Sequence, residues 1–291
     1  MKYKELLVKQ FLAICGIVTV LVTLGIIWVL FSESYTFFSQ VPIIDFLTDT
    51  QWTPLFTDKH FGILPLLSGT FLTSAIAVLV AVPVGLTIAI YISEYAPLRF
   101  RTIIKPMLEV LAAIPTVVYG YFALTIVTPF LQSFIPGLGG FNALSAGIVM
   151  GIMIIPMISS MSEDALYAIP NSLREAAYGM GSTRLQASFK VIIPSASSGI
   201  IVSIILAIGR AIGETMIVAI AAGQQPNLTL DPRESVETIT AYIVQVSLGD
   251  VPHDSLEYRT IFAAGFTLFI LTFILNNISF WIRRKFQEKY E

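Results

Sequence analysis

Two side chains of opposite charge lie four residues apart within a long apolar segment of the chain. They are Arg210 and Glu214, and Thr215 follows directly. A lone Arg or acidic residue at the centre of a membrane helix costs about 2.5–3.5 kcal/mol on insertion scales. On a continuous helix, residues four apart share one face. We therefore expect these side chains to meet each other, a partner or a water-filled path.

The chemistry available to this pair is anion recognition. Arginine stays ionised, and its planar guanidinium can hold two oxygens of an oxyanion such as phosphate or sulfate. A phosphate near neutral pH still carries an O–H that can donate to Glu214, whereas sulfate has no proton and would be repelled. The pair therefore favours phosphate, with Arg210, Glu214 and Thr215 as substrate-path residues. The alternative is an ion pair within the helix that only orders the bundle.

The composition indicates that these residues lie in an integral membrane protein. Of the 291 residues, 55% are hydrophobic and only 12% are charged, and the mean hydropathy is +0.80. A soluble domain carries about twice that charged fraction. We predict no catalytic residues and no cofactor. We also predict no metal site, because His60 and His253 have no cysteine or carboxylate ligands at metal-binding spacing.

Six apolar segments have about the 20 residues that a membrane helix needs. Most of the 17 Lys and Arg residues fall on one side of these segments, which places both termini in the cytoplasm. Small residues four apart predict close helix packing at Gly147 and Gly151, Ala207 and Ala211, and Gly209 and Gly213. The six predicted spans are residues 11–31, 66–92, 106–131, 143–161, 199–223 and 260–282.

A polar stretch with many small residues, 171–194, lies between the fourth and fifth spans. Asn171 can cap a short helix that ends at Gly179 or Gly181, and a second helix can run over 182–192 until Pro194 stops it. This predicts a helix-turn-helix with an alanine-rich face that fits a partner's groove. On the residues alone, an amphipathic loop resting on the membrane surface is the alternative.

The spacing within this stretch resembles the EAA loop of the ABC-importer permeases. In that family Glu-Ala-Ala is followed after three residues by Gly, and after nine more by Ile-x-Leu-Pro. The resemblance implies an all-α fold of the type I importer class with six transmembrane helices, in which this loop docks on a cytoplasmic ATPase. Val191 and Ile193 depart from the pattern, but both are apolar. The implied ATPase-coupling residues are Glu175, Ala176, Ala177 and Gly181.

A second resemblance concerns the substrate. The run 210–215 is similar to one shared by PstC and PstA, the membrane subunits of bacterial phosphate importers, and the outer motifs at 52–54, 61–65 and 69–70 resemble the PstC family. In that family the intramembrane Arg and Glu are implicated in phosphate passage, which points to Arg210 and Glu214. The resemblance implies a PstA-like permease subunit, a PstB-like ATPase dimer and a PstS-like extracytoplasmic phosphate-binding protein as partners. We also expect the protein to bind inorganic phosphate and to contact membrane lipid, and we expect no nucleic acid as a partner.

These observations predict a multi-pass protein of the bacterial plasma membrane that forms half of a phosphate path by alternating access. The sequence has no Gly-x4-Gly-Lys-Ser/Thr motif, so ATP hydrolysis would belong to a separate ATPase and this chain is not expected to be an enzyme. We divide it into an anchor helix with an outer loop (1–65), a permease core (66–282) and a basic tail (283–291). The alternatives are a permease for sulfate or molybdate, a secondary transporter or channel without an ATPase, and a non-transporting scaffold or phosphate sensor.

Overall fold

The computed structural model describes residues 2–286, and this part of the chain is helical with no β-strand. Residues 287–291 of the predicted basic tail lie outside the described residues. Three π-helical turns, Tyr91–Tyr95, Ala123–Val127 and Ser188–Ile192, connect neighbouring helices. The α-helices are α1 Lys2–Phe38, α2 Ile43–Thr48, α3 Leu64–Ile90, α4 Leu98–Ala113, α5 Thr116–Phe122, α6 Thr128–Gln132, α7 Ala143–Tyr167, α8 Asn171–Gly179, α9 Arg184–Ala187, α10 Ile193–Ser195, α11 Ser197–Ile212, α12 Met216–Ala221, α13 Ile239–Leu248 and α14 Leu256–Phe286.

Four stretches of the described chain are long and apolar enough to cross a membrane as single helices. They are Glu5–Phe38, Leu64–Tyr95, Ala143–Tyr167 and Leu256–Ile282. Each extends beyond the predicted span that it contains, because polar residues at the ends continue the helix past the apolar run. The number rises to 6 if each of two bent helix pairs counts as one span.

The third predicted span, 106–131, is not one continuous helix. Residues Arg99–Ala113 and Thr116–Gln132 are bent by 84° relative to each other. The break lies at Ile114, which is extended (ψ 129°) and precedes Pro115. A residue before proline is pushed out of the helical region by contact with the proline ring. α4 begins at Leu98, before the predicted span, and so carries Arg101 and Lys105 inside a helix.

The fifth predicted span, 199–223, is also wrong as a single helix. α11 ends at Ile212, residues 213–215 are not helical, and α12 begins at Met216. At its other end, the Arg184–Ser195 segment meets α11 at an angle of 69°. Arg210 therefore lies in the last turn of α11, whereas Glu214 lies beyond it.

The bundle is built around α7, whose small residues let α3 approach closely. A Cβ atom added at Gly147 would lie 2.7 Å from Ile76, and one at Gly151 would lie 2.9 Å from the Ala77 carbonyl oxygen. This confirms the predicted packing role of that glycine pair. Ala207 is likewise buried, whereas no other described helix of this chain lies within 4 Å of a Cβ atom added at Gly209, so the packing role of Gly209 stays a prediction.

The outer segment between α1 and α3 folds onto α13 and α14. Trp52 is fully buried, packs edge-on against Tyr242 at 5.0 Å, and pairs with Phe61 in an isolated β-bridge. The motif that resembled the PstC family thus forms an aromatic core. Nearby, the His60 Nδ1 lies 2.8 Å from the Asp49 carboxylate, and this hydrogen bond raises the pKa of His60. The domain boundary at residue 65 stays a prediction.

Candidate functional site

A cavity of about 470 Å³ lies between α4, α7 and α11. Its volume is in the range of small-molecule sites. Three methionines, Met153, Met157 and Met161, form part of its wall, and charged side chains enter it from all three helices. The charged residues that line it are Lys105, Glu109, Glu163, Asp164 and Arg210. The structure therefore places Arg210, the residue predicted to bind the anion, on the wall of this cavity.

Arg210 enters this cavity without a carboxylate partner among the described side chains. Its Nη2 lies 3.5 Å from the Met153 sulfur, and the residue is exposed in the isolated chain. A guanidinium has five N–H donors, and a thioether is a weak acceptor. Most of the hydrogen-bonding capacity of Arg210 is therefore available to an anion in the cavity.

Glu214 does not share a helix face with Arg210, which corrects the sequence prediction. It is buried in the break after α11, and its Oε1 accepts hydrogen bonds from the backbone N–H of Met216 (3.1 Å) and of Ile217 (3.4 Å). These are amides at the start of α12 that have no partner within the helix. Glu214 thus caps α12. Thr215 is half-buried in the same break, and its hydroxyl donates to the Gly213 carbonyl oxygen at 3.3 Å.

The cavity also contains an ion cluster that the sequence analysis missed. Glu163 of α7 has a fully buried side chain and forms ion pairs with Arg101 and Lys105 of α4. Arg101 additionally stacks over the Tyr167 ring at 4.5 Å. The signal was present in the sequence, because Arg101, Lys105 and Glu109 are spaced by four and lie on one face of a helix.

The 171–194 loop folds as two short helices joined at Gly181. Gly181 has φ +83°, a conformation that side chains with a Cβ rarely adopt, which explains why the motif requires glycine there. Thr183 and Gln186 form a reciprocal capping box at the start of α9. Two details of the prediction are wrong. Asn171 is already inside α8, and the helical path continues through Pro194 because a π-helical turn precedes it.

The surface that the 171–194 loop presents differs from the predicted alanine face. Ala177 is buried within the loop, whereas Glu175 and Ala176 are exposed. The large apolar side chains that the loop exposes are Tyr178, Met180, Leu185 and Phe189. Large apolar side chains exposed on one short loop are typical of an interaction site.

Arg174 ties the 171–194 loop to the membrane helices. Its guanidinium donates to the carbonyl oxygens of Leu166 (2.8 Å) and Ile169 (2.5 Å) at the end of α7. It also forms an ion pair with Glu94, at 3.1 Å, in the turn that follows α3. A cation that holds the last carbonyl groups of a helix also interacts favourably with the helix dipole. Arg174 therefore links α8 to the end of α7 and to the turn that follows α3.

Comparison with known proteins places this architecture in a family. Residues 81–290, which include the cavity and the 171–194 loop, match the family described as binding-protein-dependent transport system inner membrane component. The chain belongs to this family. It is accordingly a multi-pass membrane permease, and its 171–194 loop is the segment that resembled the EAA loop.

Individual relatives agree with this assignment. The chain is 36% identical over 285 residues to the phosphate transport system permease protein PstC of Mesorhizobium japonicum, covering 90% of this chain and 85% of that protein. It is 35% identical over 231 residues to the probable ABC transporter permease protein YqgH of Bacillus subtilis, covering 79% and 74% respectively.

A solved structure shows the same fold at low sequence identity. A bacterial ABC transporter that imports the acidic polysaccharide alginate superposes with a TM-score of 0.60 at 16% identity, over 94% of this chain and 96% of that chain. The fold is therefore that of an ABC-importer permease. None of these comparisons assigns a role to Arg210, Glu214 or Thr215.

Proposed function

We propose that this permease forms half of the path for inorganic phosphate in an ATP-driven importer. The observation that carries the proposal is Arg210, whose guanidinium faces a cavity of about 470 Å³ without a carboxylate partner among the described side chains. An arginine fork binds tetrahedral oxyanions through paired, charge-assisted hydrogen bonds. The relatives named PstC support phosphate as the anion, since they are phosphate transport permeases.

The proposed assembly has three kinds of partner. A PstA-like permease subunit supplies the other half of the path, a PstB-like ATPase dimer docks on the 171–194 loop from the cytoplasm, and a PstS-like protein delivers phosphate from outside. Tyr178, Met180, Leu185 and Phe189 provide the apolar surface for the ATPase. Glu175, Ala176, Ala177 and Gly181 shape the loop that carries this surface. ATP binding moves the loop, and the helices open alternately to the two sides.

Replacing Arg174 by alanine is expected to uncouple ATP hydrolysis from transport. The change removes the bonds to Leu166 and Ile169 and the ion pair with Glu94, so that α8 can move without α3 and α7. We expect phosphate uptake per ATP hydrolysed to fall by about tenfold or more, since even one charge-assisted hydrogen bond contributes about 1.5–3 kcal/mol. The measurement is parallel uptake and ATPase activity of the reconstituted complex.

The matched control for Arg174 is Glu94→Gln, which removes only the ion pair and leaves both carbonyl bonds in place. Glu94→Gln should reduce the amount of phosphate taken up per ATP hydrolysed less than Arg174→Ala does. A wild-type ratio in Arg174→Ala would contradict the coupling role of this side chain.

Replacing Glu214 by glutamine tests the proposed basis of selectivity. The glutamine carbonyl can still accept from the amides of Met216 and Ile217, so the cap on α12 is retained while the charge is lost. Glu214 does not line the cavity in this structure, so a role in selectivity requires that it reaches the anion in another state of the transport cycle; the preference for phosphate over sulfate should then fall about tenfold in the variant, because like-charge repulsion of sulfate is lost. The measurement is uptake of labelled phosphate and labelled sulfate in parallel. Unchanged phosphate uptake and unchanged preference would show that Glu214 is only a cap.

A permease for sulfate or molybdate would use Arg210 in the same way, and the parallel sulfate measurement separates these substrates. A secondary transporter has no use for a loop that resembles an ATPase-docking element. The geometry of the 171–194 loop and the family match therefore favour the ATP-driven importer.

A further inference from the structure

The cavity contains a second cation that the proposed path does not use. Lys105 of α4 lines the same space as Arg210. Its ammonium group forms an ion pair with Glu163 and lies 3.7 Å from the Asp164 carboxylate. The Lys105 side chain is nevertheless 35% exposed, so these carboxylates do not seal it from the cavity.

The two cations stand at different depths along α7. Arg210 contacts Met153, whereas Lys105 contacts Glu163, ten positions further along the same helix. A helix rises about 1.5 Å per residue, so these contact points are about 15 Å apart along the axis of α7. In this structure the guanidinium and the ammonium group therefore line different depths of the cavity. The cations therefore mark two successive positions, and Lys105 is the one nearer to the 171–194 loop, which follows α7.

Both carboxylates around Lys105 keep another partner or water when it moves away. Leaving a buried carboxylate without a cation is strongly unfavourable. Glu163 keeps one cation when Lys105 moves, because its Oε1 pairs with Arg101, which does not line the cavity, although its Oε2 loses its partner. Asp164 has a side chain that is 70% exposed, so water can solvate it when Lys105 moves away. An incoming anion can therefore compete with both carboxylates for the ammonium group.

We propose that Lys105 is a second anion-binding position, which receives phosphate after Arg210 and releases it towards the cytoplasm. The proposal rests on the proposed function of the permease. A lysine is a flexible point charge, whereas an arginine fork holds an oxyanion in fixed geometry. Passage through a pore requires binding that is weak enough, or divided over enough sites, for the ion to leave. A lysine after an arginine meets that requirement.

The test compares Lys105→Gln with Arg101→Gln in the complete reconstituted importer, using labelled inorganic phosphate. Both variants remove one cation from Glu163, but only Lys105 lines the cavity. We expect Lys105→Gln to lower the maximal rate of ATP-driven uptake about tenfold, as expected for one lost charge-assisted hydrogen bond, and to leave the phosphate concentration for half-maximal uptake unchanged. Lys105→Arg should retain most of the rate.

The outcomes distinguish a binding role from a structural one. Arg101→Gln should lower the melting temperature of the purified complex at least as much as Lys105→Gln does, yet slow uptake much less. Equal losses of uptake in the two variants would overturn the proposal, because the ion cluster alone would then explain them. Normal uptake in Lys105→Gln would also overturn it. A wild-type complex that transports sulfate instead of phosphate would contradict the proposed function, and the comparison of Lys105 with Arg101 would then be made with sulfate.

Discussion

Replacing Arg210 by alanine is expected to reduce phosphate uptake by about 100-fold at a matched amount of protein in the membrane. The guanidinium is the cation of α11 in the cavity, and its polar contact in the structure is the weak one to the Met153 sulfur. Charge-assisted hydrogen bonds contribute about 1.5–3 kcal/mol each, so loss of a two-bond contact gives an effect of this size or larger. The measurement is initial uptake of labelled phosphate by cells that carry either version of the permease.

Arg210→Lys is the matched variant for this prediction. It keeps the positive charge but loses the fork that holds two oxygens, so we expect uptake between that of wild type and that of Arg210→Ala. Arg99→Ala, which changes an exposed arginine of α4 outside the cavity, should leave uptake unchanged. Normal uptake by Arg210→Ala would show that this arginine has a structural role only.

Replacing Glu163 by alanine is expected to have the largest effect on stability. The change leaves Arg101 and Lys105 without their shared carboxylate at the contact between α4 and α7. Removal of one member of a buried ion pair costs about 3–5 kcal/mol. We expect a clearly lower melting temperature of the purified complex in detergent and a smaller amount of permease in the membrane.

The neighbouring residue provides the control for Glu163. Asp164→Ala also removes a carboxylate close to Lys105, but this side chain is 70% exposed and lies 3.7 Å from the ammonium group. Exposed ion pairs contribute about 0–1 kcal/mol, so the melting temperature should hardly change. If Glu163→Ala and Asp164→Ala were equally stable, the buried ion cluster would not hold α4 against α7.

The sequence was sufficient for features that depend on local composition. Apolar runs of about 20 residues predicted the positions of the long helices, because membrane helices need that length. Gly181 was assigned correctly to a turn, and its positive φ explains the glycine in the motif. The break before Pro115 was also within reach, since a residue that precedes proline disfavours the helix. It was missed because the apolar run continues through it.

The cavity and its lining residues could be recognised only from the tertiary structure. The spacing of Arg210 and Glu214 indicated one helix face, but that inference holds only if the helix continues, and α11 ends at Ile212. The break frees backbone amides at the start of α12, and these bind Glu214. The burial of Glu163 depends on α4 packing against α7, a contact between segments about 60 residues apart in the chain. No local pattern encodes that contact.

The most direct test of the account is uptake of labelled phosphate, with labelled sulfate in parallel, in cells that lack this gene and receive the wild-type copy. We predict that the wild-type permease restores phosphate uptake, that uptake stops when cellular ATP is depleted, and that sulfate uptake does not change. Restoration of sulfate uptake, or phosphate uptake that persists without ATP, would contradict the assignment as a subunit of an ATP-driven phosphate importer.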